Sequence, residues 1–196
     1  MKKLTYTLIA EGFAEYIFVE KLINKVAASY GLQVKKTALK ISASANPSRS
    51  KVLAEISTFC IRSFQPDIDA DLFIAGVDLD VADHSLEKHT QQIKEIQDKL
   101  EKLNTLYGHK IILFVPIQAI DYWILYLKEN STPNSLEAQN KKYIKEKVYG
   151  NSRANRHKIE KSVGQIMQNA DLQQLTKQSK SFNVFYKQLD SFLKSF

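Results

Sequence analysis

A chain of 196 residues with 44% hydrophobic residues, 25% charged residues and one cysteine, Cys60, has a globular composition that excludes a collagen-like, wholly disordered or disulfide-stapled protein. Its 28 lysines and arginines against 21 acidic residues leave a net charge of +7, which favours polyanions such as nucleic acid, although lysines scattered over solvated helix faces give the same total. The apolar stretch after Met1-Lys2-Lys3 is interrupted by Glu11 and Glu15, and no later run is long enough to cross a bilayer; no secretory segment and no membrane contact are expected, and the cytoplasm is the default location.

The apolar, β-rich run Leu4 to Ala10 leads directly into Glu11-Gly12 and then a helical pattern through Phe13, Ile17, Phe18, Leu22, Ile23 and Val26, which predicts strand, tight turn and helix. Val34 to Ala43 alternates loosely and predicts an outer strand, after which Asn46-Pro47-Ser48 starts a helix carrying Val52, Ile56 and Phe59. Leu72 to Val77 is almost wholly apolar, as in a strand buried on both faces, and ends abruptly in Asp78-Leu79-Asp80. A long polar helix is predicted from His84 to Leu106, closed by Gly108, followed by a strand from Lys110 to Ile117.

This alternation predicts an α/β fold over residues 1–130: a mostly parallel, four-stranded sheet with right-handed crossovers and helices on both sides. Beyond a hinge-like Ser131-Thr132-Pro133-Asn134, helical patterns near 135–148, 155–168 and 181–195 predict that residues 131–196 form a helical C-terminal region packed on the core. Phe182, Phe185, Leu189 and Phe192 recur at helical spacing, so that last helix is expected to dock an apolar stripe.

In an open parallel sheet, ligands bind in the crevice at the carboxyl ends of the strands. Glu11 and Asp78 each follow a predicted buried strand, so the fold brings them to that edge; Asp80, if the chain stays extended, points to the same side as Asp78. If the helix begins near Gly12, Glu15 shares a face with Glu11 at its first turn. Carboxylates this close repel unless a hard cation such as Mg²⁺ or Mn²⁺ neutralises them, and such an ion can activate water and stabilise phosphoryl charge. Taken singly, each residue has a plainer reading: Glu11 and Glu15 as partners of a helix N-terminal dipole, Asp78 and Asp80 as loop and capping residues.

Leu8-Ile9-Ala10-Glu11-Gly12-Phe13-Ala14-Glu15 followed by Gly76-Val77-Asp78-Leu79-Asp80 resembles the two signatures of the Toprim fold, shared by topoisomerases, bacterial primases and overcoming-lysogenization-defect nucleases. The resemblance implies that Glu11, Asp78 and Asp80 coordinate Mg²⁺ during phosphodiester chemistry, with Glu15 in a metal or catalytic role as in the nuclease branch. Small bacterial Toprim proteins of about this length are more similar still. They share an acidic-x-Trp motif, here Asp121-Tyr122-Trp123, and a Ser-x-Ser-Phe motif, here Ser179-Lys180-Ser181-Phe182. The first implies a metal role for Asp121, where the group more commonly has Glu. A place in mobile-element or phage-defence systems and an ATPase protein partner are also implied.

Lys180, beside the Ser-x-Ser-Phe motif, is a candidate for the scissile phosphate, and with Arg153, Arg156 and Lys158 for a nucleic-acid backbone; a solvated helical surface is the plainer alternative. Ser181 reads equally well as a helix N-cap. Trp123 and Tyr122 are expected in the core rather than stacked on a base. Asp83 is an outer member of the acidic group, whereas His84 and His89 match no zinc spacing and are expected on a polar helix surface. The functions in contention are a metal-dependent phosphodiesterase, most simply a DNA or RNA nuclease, and a non-catalytic nucleic-acid or protein-binding module on the same scaffold, with primase-like polymerisation a third.

Overall fold

The computed structural model describes residues 2–39, 47–83, 85–129 and 140–196. Residues 40–43 of the expected outer strand, Asn46, His84, the 131–134 hinge and the start of the 135–148 helix lie outside them. The described chain is α/β: strands β1 (Lys2–Ile9), β2 (Leu32–Lys36), β3 (Leu72–Gly76) and β4 (Ile111–Phe114) form one sheet in the order β2-β1-β3-β4. Every pairing is parallel, with Tyr6 opposite Leu72 and Gly76 opposite Phe114.

Because side chains alternate across a strand, the sheet feeds two cores. Leu4, Tyr6 and Leu8 of β1, Leu72 and Ile74 of β3, and Ile112 and Phe114 of β4 enter one; Ile9, Phe73, Ala75 and Leu113 enter the other. The first is covered by α1 (Phe13–Ser29) and by α5 (Ile120–Glu129), α6 (Lys141–Tyr149), α7 (Arg156–Gln168), α8 (Leu172–Gln178) and α9 (Lys180–Ser195). The second is covered by α2 (Arg49–Ser63), α3 (Glu87–Lys99) and α4 (Glu101–Tyr107). Among the described residues no helix is long and apolar enough to cross a membrane.

The first core is anchored by Trp123, fully buried, with the rings of Phe182, Phe185, Phe18 and Phe114 at 5.2, 5.9, 6.0 and 6.5 Å. Its indole N–H donates to Ser181 Oγ at 3.1 Å, and the Ile117 N–H donates to the same oxygen at 3.4 Å. Ser179 caps α9 by accepting the Phe182 N–H. The Ser-x-Ser-Phe motif thus fastens α9 to α5 and to the end of β4, and it is Ser179 rather than Ser181 that is the N-cap. Ser181→Ala strands two buried donors and is expected to lower stability by about 1–3 kcal/mol in urea unfolding; an unchanged midpoint would contradict that role.

Three elements differ from the sequence pattern: the outer strand, the polar helix and β4. The outer strand β2 runs from Leu32 to Lys36, two residues earlier than the expected start at Val34, and stops before Thr37, because its pairing to β1 ends at Tyr6–Lys36. The polar helix starts at Glu87, after Leu86 in a left-handed conformation (φ 66°), because the buried Asp83 carboxylate accepts from Ser85 Oγ and from the His89 N–H at 2.7 Å. That helix breaks at Leu100, where Ser57 Oγ donates to the Lys99 carbonyl and the Asn104 amide to the Gln97 carbonyl, satisfying backbone acceptors that periodicity does not track. His89 is buried, not on a polar surface. Strand β4 ends at Phe114, since Pro116 brings no N–H and the Ile117 N–H is taken by Ser181. Its outer edge is closed by Gln188, whose amide exchanges hydrogen bonds with the Leu113 N–H and C=O as another strand would.

Candidate functional site

The turn out of β1, the loop after β3 and the start of α5 meet at the carboxyl end of the sheet. Glu11, in the β1–α1 turn, accepts the Asp78 N–H at 2.8 Å. Asp78, two residues beyond β3, accepts the N–H of Ile120 at 3.1 Å and so satisfies an otherwise orphaned donor at the first residue of α5. This arrangement places Asp121, the next residue of α5, on the same crevice.

The crevice, about 310 Å³, is lined by Glu11, Glu15, Asp78, Asp80 and Asp121, and on its far side by Lys141, Lys145 and Tyr149 of α6. Asp80 does not reach it through an extended chain. Its backbone is left-handed (φ 65°), pinned where its N–H donates to the Gln118 carbonyl at 3.0 Å, while Gln118 N–H returns a bond to Val81 at 3.2 Å. The loops after β3 and β4 are stapled together, and this turn carries the Asp80 side chain.

Burial and mutual repulsion set the electrostatics. Asp78 is pushed well above the usual carboxylate range, first by burial and then by the charges of Glu15 and Asp121. Glu15, 6% exposed, is raised to about 7 by burial and by Asp121, and forms no ion pair among the described residues. Glu11 and Asp121 are also raised, chiefly by burial. Against this stand the cations: Lys141 and Arg49 both pair with Asp80, the latter at 3.6 Å, and Lys145 lies 3.9 Å from Asp121, which also accepts the Tyr149 hydroxyl at 2.5 Å. Burial works against the Lys141 charge, but the hydrogen bond to Asp80 and the surrounding carboxylates outweigh it and raise its pKa.

No family model, curated protein or solved structure matches this chain. The Toprim resemblance therefore rests on the residues of its motifs.

The structure brings five of the sequence-derived candidates, Glu11, Glu15, Asp78, Asp80 and Asp121, to one crevice. Asp83 is spent on the start of α3, and Lys180 is exposed at the first turn of α9, outside the crevice lining. Arg153, just before α7, and Arg156 and Lys158, in its first turn, are exposed, and their neighbours Ser152, Ala154 and Ile159 line the crevice; the Arg156 guanidinium lies 5.7 Å from the ring of Phe13, another lining residue. The basic stretch therefore borders the acidic crevice.

Lys141, Lys145, Tyr149 and Arg49 escaped the sequence reading. The first three recur every four residues, the spacing of one helix face, but spacing alone does not show that this face turns toward carboxylates rather than solvent. Among the described residues no group of three or more His, Cys, Asp or Glu side chains already forms a set that could hold a metal ion. The available donors are nevertheless all carboxylate oxygens, the type that hard divalent cations take, and among the described residues Glu15 forms no ion pair.

Proposed function

We propose that this chain is a Toprim-like, divalent-metal-dependent phosphodiesterase acting on nucleic acid, a DNA or RNA nuclease. The observation that carries the reading is the convergence of Glu11, Glu15, Asp78, Asp80 and Asp121 on one crevice bordered by exposed arginines and lysines. Buried carboxylates held against their own charge fit a hard cation, Mg²⁺ or Mn²⁺, as the missing counter-charge. When bound, that ion supplies Lewis-acid stabilisation of phosphoryl charge and acidifies water.

Glu11, Asp78 and Asp80 would hold it, with Asp121 kept in place by Tyr149 at the back of the crevice. Glu15, buried in the same crevice and raised to about 7 in the metal-free protein, would serve as the base that takes a proton from the attacking water. Arg153, Arg156 and Lys158 neutralise backbone phosphates of the bound strand and orient it over the crevice. An ATPase protein partner and a role in mobile-element or phage defence enter the proposal from the family resemblance alone.

A second reading, a non-catalytic nucleic-acid-binding module, is favoured by one observation: Asp80 and Asp121 already have cationic partners from within the chain. Incubation of plasmid DNA and of a structured RNA with Mg²⁺, Mn²⁺ or EDTA separates the two. The nuclease reading expects cleavage of at least one of these substrates that Mg²⁺ or Mn²⁺ supports and EDTA abolishes. Salt-sensitive binding indifferent to EDTA, without cleavage, would favour the module.

A further inference from the structure

Both carboxylate oxygens of Asp80 face cations of this chain: Oδ1 meets Lys141 Nζ and Oδ2 lies 3.6 Å from Arg49. Arg49 is held in addition by the Leu79 carbonyl at 3.3 Å and by Gln92, whereas no further hydrogen-bond partner holds the Lys141 ammonium among the described residues. Lys141 is the first residue of α6, half-buried at the crevice mouth, with the Asp78 and Asp121 charges also acting on it. Behind it Glu15 is buried and, among the described residues, forms no ion pair, with Lys145 of α6 acting on it only through its charge; five carboxylates face Lys141 and Lys145 across the crevice.

We infer that Lys141 is a displaceable counter-ion, which occupies Asp80 in the metal-free protein, yields that carboxylate to a divalent cation, and then pairs with a phosphate of the bound nucleic acid. The inference rests on the metal reading of the crevice. An ammonium and a divalent ion compete for one carboxylate, and the displaced ammonium, left beside the new charge, is repelled until an anion comes to it. A phosphodiester is that anion. Metal and nucleic acid therefore strengthen each other's binding, and by linkage they do so by the same factor.

The test is Mn²⁺ affinity followed by electron paramagnetic resonance, with and without a short oligodeoxynucleotide or oligoribonucleotide, for the native protein, Lys141→Met and Lys141→Arg. In the native protein the oligonucleotide is expected to tighten Mn²⁺ binding ~5–50-fold, within the usual range of such couplings. Lys141→Met loses the competitor, so it should bind Mn²⁺ alone more tightly than native and lose most of the coupling; Lys141→Arg, which keeps the charge, should behave as native. Lys141→Met that binds Mn²⁺ no better than native, or that retains the coupling, overturns the counter-ion role while leaving the metal site standing. Absence of saturable Mn²⁺ binding in all three proteins overturns the metal reading itself, and this inference with it.

Discussion

Asp78→Asn is expected to abolish metal-dependent cleavage while leaving the fold intact. The amide keeps an oxygen in the place of Oδ1, so the Ile120 N–H at the start of α5 keeps its acceptor and the helix its entry. Only the charge is lost, and burial together with Glu15 and Asp121 already works against that charge. In the metal-free protein the substitution should therefore be neutral or stabilising at pH 8. Catalysis should fall by at least ~10²–10³-fold, the order seen when one electrostatic contact to a transition state is removed. Cleavage rates and circular dichroism on identically purified native and variant proteins check both halves. Asp78→Ala is a poorer probe, because it also removes the α5 cap, worth about 1 kcal/mol.

The metal-free protein should become less stable as pH rises from about 4.5 to about 7, the opposite of ordinary acid denaturation. The Glu15 carboxyl is raised from its usual 4.5 to about 7 in the fold, so between those values the native state holds a proton that the unfolded chain has released. Its stabilising contribution is fully present below the unfolded value and is lost as pH rises through the folded one. A shift of this size corresponds to about 3 kcal/mol, and the raised values of Asp78 and Asp121 act in the same direction. Urea unfolding at pH 5 and pH 8 reads it directly. Glu15→Gln should flatten the dependence and stabilise the protein at pH 8. Added Mg²⁺ should restore stability at pH 8 more than at pH 5, because only the ionised carboxylates gain from it. Stability that climbs steadily across this window in native protein would contradict the electrostatic account.

Much of the fold was legible because its constraints are local. Leu72 to Gly76 is buried on both faces, which leaves a continuous apolar run, and the run stops where the sheet stops, at the acids. Glu11 was found by the same logic at the end of β1. The Phe182, Phe185, Leu189 stripe likewise announced α9, and its fourth buried position is Leu193, with Phe192 only half-buried. What escaped depends on partners distant in sequence. The break at Leu100 needs Ser57, the left-handed turn at Asp80 needs Gln118, and the functional meaning of Lys141, Lys145 and Tyr149 needs the orientation of α6 against α5. The Ser-x-Ser-Phe motif marks where α9 begins but does not show that Ser181 holds Trp123; Lys180, between two packing residues of that motif, lies exposed and outside the crevice lining. Short α8, capped by Asp171, gave too little periodicity to register.

The central claim is that the carboxylates at the sheet's edge hold a divalent metal, and the most direct measurement is anomalous diffraction from crystals soaked in Mn²⁺. The account predicts a peak among Glu11, Asp78 and Asp80, with Lys141 withdrawn from Asp80, and no such peak in Asp78→Asn crystals treated in the same way. Crystals saturated with Mn²⁺ that show no peak in the crevice, and in which Lys141 stays on Asp80, would contradict it and return the crevice to the role of a self-neutralised binding surface.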